Sequence, residues 1–272
     1  TGCDTILAQM AADCLDTHVD NIVVYGVDTD ISPYDSGSYA SSTTYLTGNA
    51  TIKTCQMLRE KIIAAGAEML EIDIEDADFD GEKVYSVKEE KSITLKDIAN
   101  NVMCYSNHTL TATAKEKTPV SPPPYMAGAV EIELDKETGH VEIIDYATCV
   151  DCGTVINPAL ATVQTEGGLV QGIGMALYED VQYDKRGRIL NDSFMQYKIP
   201  TRLDMGKIRV EFESSYEPTG PFGAKSIGEL VINTPSPALC HAIYNASGVW
   251  INELPMTSEK IAMGILKNNL EA

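Results

Sequence analysis

The stretch 127–148, AGAVEIELDKETGHVEIIDYAT, alternates apolar and polar residues on both sides of a polar tetrapeptide, Lys136–Gly139. Alternation with a period of two is typical of half-buried strands, and a glycine-bearing turn between two such runs predicts an antiparallel hairpin. Asn157-Pro158 follows this hairpin and opens a glycine-rich helical pattern over 159–179. Locally paired strands followed by helices predict an α+β fold.

A proline-rich stretch, KEKTPVSPPPY over 115–125, precedes the hairpin. Four prolines in so short a span disrupt both helices and central strands, so we expect a domain boundary here. We place it after residue 118, which gives a first lobe, 1–118, and a second lobe, 119–272. Strands, hairpins and helices occur in both halves, which predicts two α/β lobes of mixed sheets flanked by helices.

The remaining elements are predicted from periodicity, turn residues and helix caps. In the first lobe they are a helix over 5–16, a buried strand over 21–26, a long helix from after residue 44 to about 65, a hairpin around Asp80-Gly81 within 70–90, and a helix over 94–104. In the second lobe they are a hairpin turn at Asp184–Gly187, a helix over 235–247 and a terminal helix that opens at Thr257 or Ser258.

Composition restricts the possible functions. The 272 residues include 40 acidic and 20 basic side chains, for a net charge of -20, and such a surface repels nucleic acid and anionic lipid. No apolar run approaches the length of a membrane span. The seven cysteines are odd in number and scattered, which favours a reducing compartment and a cytoplasmic location. The chain begins Thr-Gly-Cys without an initiator methionine, which indicates a fragment or a processed piece.

Two patterns resemble metal sites, and both are incomplete. Residues 76–81 match the start of a calcium loop, but position twelve is Val87 rather than a bidentate glutamate, which favours a solvated acidic hairpin. Cys149 and Cys152 form a CxxC without the second pair that a tetrahedral zinc site needs, which favours buried small residues at the end of a strand.

Three segments carry the more informative chemistry. Residues 37–44, GSYASSTT, precede a helix and could bind an anion or simply cap the helix. Residues 157–174 place four glycines in a helix at about 1 kcal/mol each, which indicates either close approach of another group or tight helix packing. Residues 223–229, GAKSIGE, place Glu229 before an apolar tripeptide that would desolvate it and suit it to act as a base. A helix-starting glutamate is the simpler interpretation of Glu229 alone.

In this order the segments resemble the C-terminal half of the molybdopterin-binding (molybdenum) subunit of the xanthine dehydrogenase and aldehyde oxidase family. The resemblance covers nearly the whole chain. It is carried by Asn157-Pro158, Gln164-x-Glu166-Gly167-Gly168, Gln171-Gly172-x-Gly174, Tyr197-Lys198-Ile199-Pro200, Gly223-Ala-Lys-x-x-Gly228-Glu229 and Glu253-Leu-Pro255-Met-Thr257. One departure is Thr1, where many relatives have a glutamine that contacts the cofactor.

The resemblance implies a role for individual residues. Glu229 matches the catalytic base of the family, which activates a hydroxyl bound to molybdenum. The positions that match cofactor-binding residues are Ala40, Ser41, Thr43, Gln164 and Gly228. No side chain of the protein is expected to ligate the metal directly, because the pterin cofactor holds it.

The resemblance also implies the reaction and its components. It implies a molybdenum hydroxylase that uses water to hydroxylate an electron-poor carbon of an N-heterocycle such as nicotinate. The implied cofactor is molybdopterin, in the cytosine dinucleotide form, with molybdenum and a terminal sulfido or selenido ligand. Iron–sulfur clusters and FAD would lie on partner subunits, and a second molybdopterin subunit would supply the other half of the molybdenum region.

Three alternatives stay open. A split enzyme, similar to the smaller molybdopterin subunit of bacterial nicotinate dehydrogenase, is the simplest interpretation. The chain could instead be the C-terminal fragment of a xanthine or purine dehydrogenase, or of an aldehyde oxidoreductase. A third possibility, from another functional class, is a non-catalytic assembly or cofactor-chaperone module.

Overall fold

The structure, a computed structural model, describes residues 2–26, 28–35, 37–106, 109–117 and 120–271. Contacts between residues divide the chain into two compact units, which we describe separately. Unit 1 comprises Thr1–Pro122 and Glu217–Ser226, and unit 2 comprises Pro123–Tyr216 and Ile227–Ala272. The predicted boundary between Thr118 and Pro119 lies outside the described residues, so it stays a prediction. Thr1 lies outside them as well, so the expected loss of a cofactor contact at this position also stays a prediction.

Unit 1 packs helices against a small antiparallel sheet with the strand order β1-β2-β3. Its elements are α1 (Cys3–Cys14), α2 (Gly48–Leu70), β1 (Ala77–Phe79), β2 (Lys83–Ser86), β3 (Ser92–Thr94) and α3 (Leu95–Tyr105), with short 3-10 turns at Val19–Asn21, Ile74–Asp76 and Pro221–Gly223 and a π-helical turn at Thr43–Thr47. The core brings together Ile62, Phe79, Val84, Ile98 and Val102 from α2, the sheet and α3.

The predicted hairpin around Asp80-Gly81 is confirmed, with Phe79 opposite Val84. The Asp80 carboxylate accepts hydrogen bonds from the backbone N–H groups of Lys83 (2.9 Å) and Glu82 (3.1 Å). These bonds favour the charged form and lower the pKa of Asp80, with the bond from Lys83 as the largest cause. The acidic hairpin is therefore held together by its own turn.

One predicted element of unit 1 is wrong. Residues 21–26 form no strand; a 3-10 turn ends at Asn21 and the chain then runs irregularly. Val23 and Tyr25 are exposed over 74% and 68% of their surface. An apolar run becomes a buried strand only if another strand pairs with it, and none of the described strands does so. The predicted long helix is confirmed as α2, which extends to Leu70.

Unit 2 is built on the hairpin that the alternating stretch predicts. Its elements are β4 (Tyr125–Leu134), β5 (Val141–Asp151), α4 (Pro158–Leu177), β6 (Lys207–Phe212), α5 (Pro235–Ser247) and α6 (Ser258–Glu271), with 3-10 turns at Arg202–Asp204 and Leu230–Ile232. The sheet order is β4-β5-β6, antiparallel between β4 and β5 and parallel between β5 and β6. Its core includes Tyr146, Leu169, Ile173, Leu239 and Ile261.

The remaining predictions for unit 2 are largely confirmed. Thr257 caps α6, because its hydroxyl oxygen accepts the N–H of Lys260 at 3.3 Å. The turn at Asp184–Gly187 forms, but its flanks pair only through an isolated bridge between Tyr183 and Ile189. The α+β class is confirmed, with one antiparallel and one mixed sheet. Within the described ranges, no helix is both long and apolar enough to cross a membrane.

Candidate cofactor-binding and catalytic site

Helix α4 carries the first part of the candidate site in unit 2. It begins with Asn157, whose side-chain oxygen accepts the N–H of Leu160 at 3.1 Å, and Pro158 occupies its first turn. Gln164 lies in the second turn and is half-buried. A capped start therefore fixes the position of Gln164 along the helix.

The glycines of α4 bring the helix against the turn that follows Glu229. A Cβ atom on Gly168 would lie 2.7 Å from Cβ of Val231, which is only 1% exposed in the 3-10 turn Leu230–Ile232. A Cβ on Gly172 would lie 2.9 Å from the carbonyl oxygen of Ile232. Both distances are too short for any side chain, so the backbone of α4 sets the position of this turn.

Tight packing accounts for three of the four glycines, since a Cβ on Gly174 would also collide, with Pro200 at 2.9 Å. Gly167 differs, because it is exposed and a Cβ there would meet no described atom within 4 Å. Packing thus explains three of these glycines. The approach of another group to the backbone at Gly167, which the open space there permits, stays a prediction.

Glu229 is the residue immediately before the 3-10 turn, and both Gly228 and Glu229 are exposed. The predicted desolvation of Glu229 by the following apolar tripeptide is therefore wrong. Of that tripeptide only Val231 is buried, because a short 3-10 turn directs one side chain in three toward the core. The turn instead presents Glu229 at the surface of unit 2.

The loop at residues 40–43 belongs to unit 1 and has unusual backbone geometry. Ala40 and Ser41 have φ angles of 55° and 50°, in the left-handed region that non-glycine residues rarely occupy. Such residues cost of order 1–3 kcal/mol each and concentrate at functional sites. Thr43 starts the π-helical turn, and the hydroxyl of Ser42 donates to the carbonyl of Gly37 rather than capping the helix. A plain helix cap therefore does not explain this segment.

Unit 1 also contains residues 217–226, which lead directly to Glu229. The Ser226 hydroxyl oxygen accepts the backbone N–H of Tyr45 at 3.1 Å, and the Tyr45 hydroxyl donates to Thr219 at 2.6 Å. The side chain of Asn49 donates to the carbonyl of Thr219 at 3.0 Å. The segment that ends three residues before Glu229 is thus anchored to the start of the helical stretch that follows Ser41.

A buried tyrosine begins a short chain of hydrogen bonds in this anchor. Thr219 donates from its hydroxyl and its backbone N–H to one carboxylate oxygen of Glu217, at 2.6 and 3.0 Å. These bonds lower the pKa of Glu217, the hydroxyl contributing most. Sequence reasoning missed Tyr45, Thr219 and Glu217, and no local signal could have paired residues that lie 174 positions apart.

The side chains at these positions suit hydrogen bonding to an organic cofactor. Unit 2 supplies an amide at Gln164 and a backbone group at Gly228, and unit 1 separately supplies hydroxyls at Ser41 and Thr43. Among the described residues, no group of three or more His, Cys, Asp or Glu side chains is placed to hold a metal ion.

The predicted pair of buried cysteines is half wrong. Cys152 is buried, but Cys149 points outward from β5 and is exposed.

Comparison with known proteins identifies the family. The profile of the family described as "Molybdopterin cofactor-binding domain" matches residues 1–206. The chain belongs to this family. It therefore carries a domain type that binds molybdopterin, and the resemblance inferred from the three segments is confirmed.

The chain is similar to parts of longer proteins that are named as an oxidase, a dehydrogenase subunit and an oxidoreductase. It is 34% identical over 269 residues to the probable hypoxanthine oxidase XdhD of Escherichia coli K12, covering 98% of this chain and 28% of that protein. It is also 34% identical over 269 residues to the 6-hydroxypseudooxynicotine dehydrogenase complex subunit gamma of Paenarthrobacter nicotinovorans, and this match covers 96% of this chain and 34% of that protein. The solved structure of quinoline 2-oxidoreductase from Pseudomonas putida 86 is similar to the structure of this chain, with a TM-score of 0.86 and 27% sequence identity. The match covers 98% of this chain and 35% of that one. The chain thus spans about a third of the length of these relatives.

Proposed function

We propose that this chain is the molybdopterin-binding, base-bearing part of a molybdenum hydroxylase that oxidises an N-heterocycle such as nicotinate with water. The observation that carries the proposal is the position of Glu229. Glu229 is exposed, and the turn after it packs against Gly168 and Gly172 of α4, close to Gln164 along the helix. A general base must be both accessible to a reactant and held still, and this arrangement provides both.

The cofactor would be held by amide, hydroxyl and backbone groups. In unit 2 we assign this role to Gln164 and Gly228, and in unit 1 to Ala40, Ser41 and Thr43. When bound, the molybdenum cofactor supplies the two-electron redox chemistry, which no side chain can supply. Glu229 would accept a proton from the attacking oxygen, and Gln164 would hold the pterin by hydrogen bonds. Gly167 fits this role because its open Cβ position lets another group approach the backbone.

The names of several relatives support the proposed substrate class. XdhD is named for hypoxanthine, one solved relative for quinoline, and a further relative, 31% identical, is named nicotine 6-hydroxylase large subunit. All three named compounds are N-heterocycles, which supports an N-heterocycle here. Within this class, a purine is the second candidate beside a pyridine such as nicotinate, because XdhD, which is named for hypoxanthine, matches 98% of this chain.

The remaining components complete the proposal. We propose the cytosine dinucleotide form of molybdopterin, a terminal sulfido or selenido ligand, and iron–sulfur clusters and FAD on partner subunits in the cytoplasm. A second polypeptide or segment would supply the other part of the molybdenum region. Relatives named as gamma or large subunits of complexes support a multi-subunit assembly.

The assignment of the base is tested by Glu229→Gln in the assembled enzyme. We expect the molybdenum and pterin contents to stay unchanged while the hydroxylation rate falls by roughly 10²–10⁴, the usual contribution of a general base. Glu213→Gln is the matched control, because Glu213 is also exposed and precedes the 217–226 segment. Retained activity in Glu229→Gln would overturn the assignment. A purified complex without molybdenum would favour the non-catalytic module instead.

A further inference from the structure

Residues 181–203 of unit 2 form an unusual surface. Eight large apolar side chains in this segment are exposed, the first at Val181 and the last at Leu203. Phe194, Met195 and Leu203 are exposed over 80%, 85% and 96% of their surface. None of these 23 residues, all of them described, is buried. Monomeric proteins rarely expose apolar side chains so densely, so the segment has the composition of an interface.

Polar groups hold the segment in shape from within. The Asn191 side chain accepts the N–H of Gln182 at 3.0 Å and donates to the carbonyl of Asp180. The Tyr197 hydroxyl donates to Glu179 at 2.6 Å, and Arg188 pairs with Asp184 at 2.7 Å. These hydrogen bonds and the ion pair fix the course of the segment while its large apolar side chains stay exposed. A surface shaped before it meets its partner loses less entropy on binding.

The charge of the segment is opposite to that of the rest of the chain. Residues 181–203 contain five basic and two acidic side chains, while the other residues contain 15 basic and 38 acidic ones. Lys185 and Arg186 lie exposed at the tip of the turn. A local net charge of +3 within a chain of -20 requires an acidic surface for electrostatic complementarity.

We propose that residues 181–203 dock onto an acidic, apolar surface of the part of the molybdenum-binding subunit that lies outside this chain. This inference rests on the proposed function, because its partner is the remainder of the same subunit. The relatives are about three times as long as the chain, so the remainder is large enough to cover the segment. The 23 residues match the 20–30 residues that one side of a standard interface contributes.

Two other occupants fit the surface less well. A second copy of this chain in a two-fold dimer would place the same patch against itself, so that +3 would face +3. A lipid surface would suit basic and apolar side chains together, but the exposed apolar residues lie on an irregular segment rather than on one face of a helix. Crosslinking distinguishes a second copy and a lipid surface from the proposed partner.

The test is hydroxyl-radical footprinting of the purified, assembled enzyme in detergent-free buffer, compared with the same enzyme unfolded in urea. We expect oxidation of Phe194, Met195 and Leu203 to slow by about tenfold or more on assembly, as expected for a buried interface core. A photo-crosslinking residue at position 194 should join this chain to the remainder of the subunit. Labelling at the rate of the unfolded chain, or crosslinks only to a second copy or only to added vesicles, would overturn the proposal.

Charge reversal gives an independent test. In the assembled enzyme, the double variant Lys185→Glu, Arg186→Glu should speed hydroxyl-radical labelling of Phe194, Met195 and Leu203 about tenfold or more at low salt and less at high salt. Lys96→Glu, Lys136→Glu is the matched control, since both lysines are exposed outside the segment. Equal labelling rates in both double variants would contradict the docking. The Glu229→Gln enzyme should keep the same footprint and crosslink. The docking of residues 181–203 can therefore be tested even if the assignment of Glu229 as the base fails.

Discussion

Substitution of Gly168 by alanine tests whether α4 positions Glu229. The new Cβ would collide with Cγ2 of Val231 and lie 2.7 Å from its Cβ, whereas carbon atoms prefer about 3.5–4.0 Å, so the turn must move by at least about 1 Å. Overpacking of this kind costs roughly 1–3 kcal/mol, and the gain in helix propensity returns about 1 kcal/mol. We therefore expect a net loss of up to about 2 kcal/mol in the stability of α4.

The neighbouring Gly167→Ala variant is the control, because it gains the same helix propensity and meets no described atom. Hydrogen exchange of the α4 amides in the assembled enzyme should separate the two variants by about 1–3 kcal/mol. Turnover per molybdenum should fall as much as about 10²-fold in Gly168→Ala, since a displacement of about 1 Å can cost that much. Equal stability of the variants, or full turnover in Gly168→Ala, would refute the reasoning.

Three further predictions address the cofactor loop, the pterin contact and a thiol. Gln164→Ala should weaken pterin retention roughly 2–12-fold, the value of one hydrogen bond, as measured by pterin content after gel filtration; unchanged content would remove Gln164 from the site. In urea unfolding, Ala40→Gly should be neutral or stabilise the protein by up to about 1 kcal/mol, because glycine adopts the left-handed conformation of this residue without strain. Ala50→Gly within α2 should destabilise the protein by about 1 kcal/mol. Equal losses of stability in the two variants would contradict backbone strain at Ala40. Burial raises the pKa of the Cys14 thiol to about 11. The protonated thiol therefore contributes stability that is lost as the pH rises from 9 to 11. Iodoacetamide at pH 8 should label the exposed Cys104 well before Cys14, and the reverse order of labelling would contradict the raised pKa.

Much of the fold follows from local signals in the sequence. The alternation on both sides of Lys136–Gly139 predicts β4 and β5, because a sheet with one buried face forces a period of two. Caps such as Asn157 and Thr257 predict helix starts, because the first N–H groups of a helix need acceptors. The family follows from several separated motifs read together, whereas the roles of the candidate site residues stay predictions.

The errors arise where distant residues decide the structure. The apolar run 21–26 looks like a strand, but no neighbouring strand pairs with it among the described residues. The exposure of Glu229 depends on which residue of the following tripeptide meets Gly168, and spacing along the chain does not encode this contact. The bond between Tyr45 and Ser226 joins residues 181 positions apart, so no local pattern predicts it.

The assignment of residues 217–226 to unit 1 has a consequence for biosynthesis. Unit 1 is discontinuous, because about 95 residues of unit 2 separate Pro122 from Glu217 along the chain. At about 5–20 residues per second, a ribosome needs roughly 5–20 s to travel from one to the other. During that interval Tyr45 lacks its partners Thr219 and Ser226, and the sheet of unit 2 emerges first. The order of synthesis therefore makes closure of the loop before Glu229 a late event, and a nascent chain arrested before residue 217 should present an unfinished unit 1 to chaperones.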